Sequence, residues 1–441
     1  MLRSRLLNIL FWSVISAAFI GPGTVATAAQ AGASFELKLL WALIFSIITC
    51  LTLQEASARL TIVSGYNLGM AIAHQYRNRA MRVPILILVI GAIIIGSAAY
   101  QTGNLLGAVG GLSLMVPVPS YVMVLVIGLL AAVFLMLPSL RFVARMLGFI
   151  VVFMGAAFLT TAVMIGPRMD AVLAGSFIPS FPEESGLLVL ALIGTTVVPY
   201  NLFLGSGIAD RAQQVREMRF GLSVAVILGG IISMGVLIVG SAVDGPFSFE
   251  SLAGALTDEL GTWSLYLFGF GLFAAGFSSA VTAPLASAIT ARNLFAGHQD
   301  GKWAQGSRRF RLVWGFVLVV GVSFGAAGFR PIPAIITAQA LNGLILPFVS
   351  IFLLFVVNDP RLMGRQQMNN WKGNALMGFI VWITLILGVI NILKVINRIV
   401  NQAFLESTSM LVVVIVLTLI ATLVILLFIY RLRGLKLSAE K

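Results

Sequence analysis

Ile193-Gly194-Thr195-Thr196-Val197-Val198-Pro199-Tyr200-Asn201-Leu202-Phe203-Leu204-Gly205-Ser206-Gly207-Ile208-Ala209-Asp210 is the stretch whose reading decides the fold. It lies in an apolar segment long enough to cross a bilayer, yet Pro199, Tyr200 and Asn201 interrupt its middle. Proline lacks a backbone donor and clashes with the carbonyl four residues back, so the helix breaks near Val198. At membrane depth a broken backbone is tolerated only where it is buried in protein or lines a watery cavity. A second interruption, Gly21-Pro22-Gly23-Thr24, sits in the first apolar segment, and Pro199 lies 177 positions beyond Pro22. Paired interrupted helices in two corresponding halves point to the binding site of a secondary transporter.

Working outward, the composition agrees. Of 441 residues, 59% are hydrophobic and 10% charged, against about 25% charged in soluble domains. The chain reads as an all-α polytopic membrane protein, expected in a plasma (inner) membrane with the lipid bilayer as its main partner. Twelve apolar segments fall near 6–33, 38–62, 83–109, 118–138, 143–166, 187–209, 219–243, 262–291, 312–329, 332–357, 375–399 and 408–430. Each reaches the roughly 18 residues a crossing requires. The first shows no small-residue cleavage site, so no removable signal is expected. The lone Cys50 allows no intrachain disulfide.

The net charge of +13 is explained by basic loops rather than by nucleic acid. With the N-terminus cytoplasmic, all 28 Lys and Arg except Lys38, Arg168, Arg330, Lys394 and Arg398 fall on the cytoplasmic side, as the positive-inside rule demands. Both termini are then cytoplasmic. Segment 1 runs outward and segment 6 inward, so residues 1–166 and 187–357 read as two five-helix repeats of opposite topology, with 375–431 added. The outer loops carry Glu183, Glu184, Asp244, Glu250, Asp258 and Glu259, an ordinary solvated face.

At the breaks, the first half-helices end around Ala18–Ile20 and at Thr195–Thr196, where unpaired carbonyls carry partial negative charge. The second halves begin near Thr24 and Asn201, which can serve as N-caps, as ligand groups, or as both. Few other polar residues sit at depth. Glu55 and Arg59 are four apart on segment 2, as a structural ion pair or a proton carrier. Segment 3 holds Tyr100, Gln101 and Asn104, segment 8 holds Ser278, Ser279 and Thr282, and segment 10 holds Gln339 and Asn342. His74 and His298 fall in cytoplasmic loops. No nucleophile–base constellation is present, so neither an enzyme nor a cofactor is expected.

The chain resembles the Nramp family of divalent-metal transporters over almost its whole length. The resemblance rests on Gly21–Thr27, Gln30–Ala33 and Leu40-Trp41, on Gln54 with Ser57–Leu60 and Ile62-Val63, and on Gly194–Leu204. It continues through Ala274–Gly276, Ser278-Ser279 and Thr282, then Gln339, Pro347, Asp359, Arg361, Met363 and Gly364. It implies the LeuT-type fold: two inverted five-helix repeats plus two extra helices, about twelve in all. The family's first break reads Asp-Pro-Gly-Asn, and its acid and amide bind metal. Gly21 and Thr24 stand there in this chain, Val198 replaces a methionine ligand, and Tyr200 and Gly205 replace histidines. Ala99–Leu112 is similar to a divergent bacterial branch sharing these changes.

The substrate site expected from residues and resemblance together comprises Ala18, Gly21, Thr24, Thr195, Val198, Tyr200, Asn201, Gln339 and Gln101, with Thr24, Thr195 and Asn201 as metal ligands. Manganese and iron sites want carboxylate, imidazole or sulfur, so selectivity should shift toward a hard ion such as magnesium. Two other readings stay open: a carrier of an amino acid or amine, with Phe19, Tyr100, Tyr200 and Phe203 as aromatic lining, and a membrane sensor that transports nothing. A monomer is expected.

Overall fold

The computed structural model describes Trp12 and residues 20–75, 79–137, 141–209, 211–295, 301–304, 306–400 and 408–438. The first half of segment 1, Ala18 and Phe19 included, lies outside the described residues, as does His298. All twelve apolar segments meet helices. Segments 1 to 5 correspond to α1 (Pro22–Phe35), α2 (Leu40–Ser64), α4 (Arg79–Ser113), α5 (Ser120–Met136) and α6 (Arg141–Ile165), with α3 (Leu68–Gln75) between segments 2 and 3. His74 therefore sits in a short helix rather than a loop, its ring 5.3 Å from that of Tyr66. A short α7 (Met169–Phe177) precedes segment 6, which is split into α8 (Gly186–Thr196) and α9 (Pro199–Ile208).

Segments 7 to 10 are α10 (Val215–Gly240), α12 (Trp263–Phe295), α13 (Arg308–Ala326) and α14 (Pro331–Val356). Between the first two lies α11 (Phe249–Leu260), started by Ser248 and Ser251, which cap each other's backbone. After α15 (Pro360–Gln367), α16 (Trp371–Val400) and α17 (Thr408–Ser438) complete the chain. Among the described residues, eight helical stretches are long and apolar enough to cross a bilayer, and 120–136 and 149–165 are shorter apolar helices. At 1.5 Å per residue, the 26 residues of α10 extend about 39 Å, more than the roughly 30 Å hydrocarbon core.

The packing pairs elements across the two halves. α1 lies on α10, and α9 on α2; α6 lies on α12, and α4 on α14. Each pairing is what a pseudo-twofold axis relating the halves generates from the other. At the centre α4 crosses α12 with backbones nearly touching. A Cβ on Gly111 would lie 2.4 Å from the Gly269 carbonyl, and one on Gly276 would lie 2.7 Å from that of Asn104. Small residues allow this approach where no hydrophobic effect drives helices together. α16 and α17 pack on each other outside this core, and α17 turns Leu417, Leu427 and Phe428 outward.

Proline also dictates polar pairing inside the bundle. Pro284, within α12, has no N–H for the carbonyl of Ala280, four residues back. The Gln101 side chain of α4 fills that vacancy, its Nε2 donating to the Ala280 carbonyl at 2.9 Å.

Candidate functional site

The starts of α1 and α9 are built alike. Gly21 precedes α1 with φ −114° and ψ −178°, and Val198 precedes α9 with φ −80° and ψ 122°; both are extended N-cap residues. Pro22 and Pro199 then occupy the first helical position, where a missing N–H costs nothing. The helices thus resume at the prolines, and the non-helical gap between α8 and α9 is Val197 and Val198 alone rather than 197–201. Thr24 and Asn201 fall at the third helical position, and no side chain caps either helix. Of the two roles open for Thr24 and Asn201, N-capping is therefore not the one they perform. Val198 is buried, and its carbonyl accepts from the Asn201 N–H at 3.0 Å. The Thr195 carbonyl, four residues before Pro199, has no proline N–H to meet.

The breaks touch. Thr24 Oγ1 and Thr195 Oγ1 are hydrogen-bonded at 2.9 Å across 171 positions of sequence. Gln339 of α14 spans both. Its carbonyl lies 2.0 Å from where a Cβ on Gly194 would stand, and its amide Nε2 lies 2.1 Å from the corresponding point on Gly23. At Gly194 only glycine admits this backbone approach, whereas at Gly23 the neighbour is the movable end of the Gln339 side chain. Tyr100 of α4 and Tyr200 of α9 meet edge to face, with ring centroids 5.5 Å apart. The Tyr100 hydroxyl comes near the side chains of Tyr200, Gln339 and Thr195, yet it forms a hydrogen bond with none of them.

The junction is rich in buried polar atoms without partners: the Tyr100 and Tyr200 hydroxyls, Ser279 Oγ, and both amide atoms of Gln339 and of Asn201. All five side chains are almost wholly buried. An unpaired buried polar group costs about 1–3 kcal/mol, so this concentration is a place for water or a ligand. Its donors and acceptors are hydroxyls, amides and carbonyls. Among the described residues, no three His, Cys, Asp or Glu side chains gather anywhere.

Gly21, Thr24, Thr195, Val198, Tyr200 and Gln339 are thus brought together, and Asn201 stands one helical position beyond Tyr200. Gln101 is not part of this set: it is bonded to the Ala280 carbonyl, accepts from Asn104 Nδ2 at 3.4 Å, and lies against Gly321. Glu55 and Arg59 are apart from it as well. Glu55 Oε1 accepts from Arg59 Nε at 2.9 Å and from Arg219 Nε at 2.8 Å. Arg59 also donates to the Gln367 carbonyl and to Asn369 Oδ1, so the pair is tied into the packing around α15. Tyr100 and Ser279 were absent from the expected ligand set. Their helices are apolar nearly all round, so no periodicity told which face meets the breaks.

A multi-pass helical membrane protein in which the split segment 6 meets the start of α1 at a buried polar junction has the arrangement of the LeuT-type class. The fold is similar to that of the Eremococcus coleocola manganese transporter, with TM-score 0.69 and 19% identity over 97% of this chain and 94% of that one. It is similar also to Mhp1, a nucleobase-cation-symport-1 family transporter, with TM-score 0.55 and 16% identity over 96% and 92%. In sequence, the chain is 27% identical over 375 residues to the divalent metal cation transporter MntH of Verminephrobacter eiseniae, covering 80% of this chain and 82% of that protein. The MntH of Acidiphilium cryptum is 26% identical over 384 residues. Residues 13–394 match the family described as natural resistance-associated macrophage protein-like. The chain belongs to the Nramp family.

Proposed function

We propose that this protein is a secondary transporter that moves a divalent metal cation across the plasma membrane by alternating access, with a site suited to a hard ion such as magnesium. Its relatives named as divalent metal cation transporters support the class. The observation that carries the selectivity is the donor set at the junction: hydroxyl, amide and carbonyl groups, without carboxylate, imidazole or sulfur among the described residues there. Magnesium accepts oxygen ligands and keeps several of its waters, whereas manganese and iron sites draw on carboxylate, imidazole or sulfur. The two halves, 1–166 and 187–357, would rock about this junction, with 375–431 outside them and both termini cytoplasmic.

Purified protein in proteoliposomes tests this reading. Magnesium uptake should exceed manganese uptake at equal concentration, and magnesium should raise the melting temperature as a ligand of the folded state. Saturable micromolar manganese binding with no magnesium response would overturn the selectivity. The Tyr100–Tyr200 pair favours one other reading, a small organic amine held on aromatic faces. A melting-temperature rise with amines or amino acids, and none with any divalent cation, would select it.

A further inference from the structure

We propose that Tyr100 and Ser279 replace the ligand side chain missing at position 21, and that their hydroxyls set the selectivity of the transport site by holding the water shell of a partly hydrated divalent cation. This rests on the cation reading above. A Cβ added at Gly21 would stand 3.3 Å from Ser279 Oγ and 3.9 Å from the Tyr100 hydroxyl. Two neutral oxygens from α12 and α4 therefore border the space that a longer residue at this position would enter. Gly21 is extended, with φ −114°, so glycine is not there for a left-handed turn. What it provides is room between the backbone and these hydroxyls.

Among the described residues, Ser279 shares with Ser97 alone a buried serine hydroxyl that has no partner, and of the two it is Ser279 that borders Gly21. A serine in a helix usually bonds back to a carbonyl of the preceding turn. Ser46, Ser233, Ser287 and Ser350 all do so, at 2.5–3.0 Å, and the neighbouring Ser278 bonds to the Ala275 carbonyl at 3.1 Å. The Ser279 hydroxyl makes no such bond and faces the break instead. Tyr100 likewise buries its hydroxyl among Tyr200, Gln339 and Thr195 without bonding to any of them. Both oxygens are buried beside the same backbone position without a closed hydrogen bond. Neutral oxygens compensate loss of water from a divalent ion less well than a carboxylate does. They do accept hydrogen bonds from water that remains on the ion, and magnesium is the ion that sheds water most reluctantly.

Tyr100→Phe removes one oxygen and nothing else, and Ser279→Ala does the same on α12. In proteoliposomes each should lower magnesium affinity, read as the half-saturating concentration for uptake, by about tenfold, the equivalent of one hydrogen bond to a charged ligand. Each should also shrink the magnesium-induced rise in melting temperature, while the melting temperature without cation stays equal or rises. Ser278→Ala should change neither. If the wild type responds to magnesium and both site variants respond equally well, the hydroxyls are packing groups and the inference is overturned. If the wild type shows no response to any divalent cation, it is the cation reading itself that fails. Should Tyr100→Phe not fold, Ser279→Ala alone decides, by the same affinity measurement.

Discussion

Gly21 is the residue on which the donor set turns. The glycine could have marked a positive φ, in which case an aspartate there would strain the backbone. The extended conformation removes that obstacle, and what remains is the 3.3 Å approach to Ser279 Oγ and the charge. A carboxylate at membrane depth costs about 2.5–3.5 kcal/mol on insertion scales unless a cation or water compensates. The triple variant Gly21→Asp, Thr24→Asn, Val198→Met should therefore melt lower than the parent without metal and recover with manganese. The parent should show no manganese effect. A triple variant that folds normally yet ignores manganese in a thermal melt would mean the junction has been rebuilt for another kind of solute. At this scale the sequence exposed Thr24, Thr195, Tyr200 and Gln339, because they sit on or beside the breaks or match the family's pattern. It named Tyr100 and Ser279 as polar residues at depth but left them out of the expected ligand set, because which face of a helix meets the junction depends on its rotation. Gln101, polar and deep, was expected in the site, and the structure places it instead on the carbonyl that Pro284 leaves without a donor.

The broken helices show what proline does as an element boundary. Pro199 stands at the first position of α9, where its ring is pre-shaped for the helix; it opens the second half rather than filling the gap. Its larger effect is on α8, whose Thr195 carbonyl loses a donor. Pro199→Ala would supply an N–H at that place. The expected outcome is unchanged or raised melting temperature together with reduced cation uptake, since a continuous helix would consume the free carbonyl and stiffen the junction. Equal uptake in the variant and the wild type would show that this carbonyl plays no part. The starts of α1 and α9 were legible because Gly-Pro and Val-Pro interrupt long apolar runs. The extent of the gap before α9 was not: helix ends depend on which residue first takes helical dihedrals, and Tyr200 and Asn201 do so inside α9. The short α7 and α11 were also missed, because nine and twelve residues leave little periodicity to read.

Between elements and the whole stands a polar clasp. Arg59 of α2 reaches Glu55, the Gln367 carbonyl and Asn369 Oδ1, and Arg433 of α17 donates to the Asn369 carbonyl at 3.0 Å. Glu55 also holds Arg219 of α10. The clasp therefore ties the outer helices to the core at one end of the bundle. Arg59→Ala would leave Asn369 Oδ1 and a carbonyl unpaired, while Glu55 keeps Arg219. Stability should fall by about 2–4 kcal/mol, between the cost of unpaired acceptors and that of a broken buried ion pair. A thermal or denaturant melt of the detergent-solubilised variant measures it. No loss would mean that water replaces Arg59 there.

For the whole molecule, orientation is the feature that sequence carries most directly, since it follows from where charge is left when helices insert. Lys and Arg near segment ends resist translocation, whereas acidic residues count little. Of the basic residues expected on the cytoplasmic side, Arg361 and Arg365 lie in α15, and Arg431 and Arg433 in the last turns of α17. Glu183 and Glu184, expected on the outer side, lie between α7 and α8. Chemistry offers a clean test, because Cys50 is the single cysteine and is buried within α2. Glu183 and Gln366 are both exposed, so cysteine at either place is open to solvent without disturbing a packed surface. With cytoplasmic termini, a membrane-impermeant maleimide should label Glu183→Cys in intact cells. It should label Gln366→Cys only after permeabilisation. The opposite pattern would invert the molecule, placing the basic loops and the clasp outside. Labelling of both in intact cells would instead mean that one of the twelve segments does not cross.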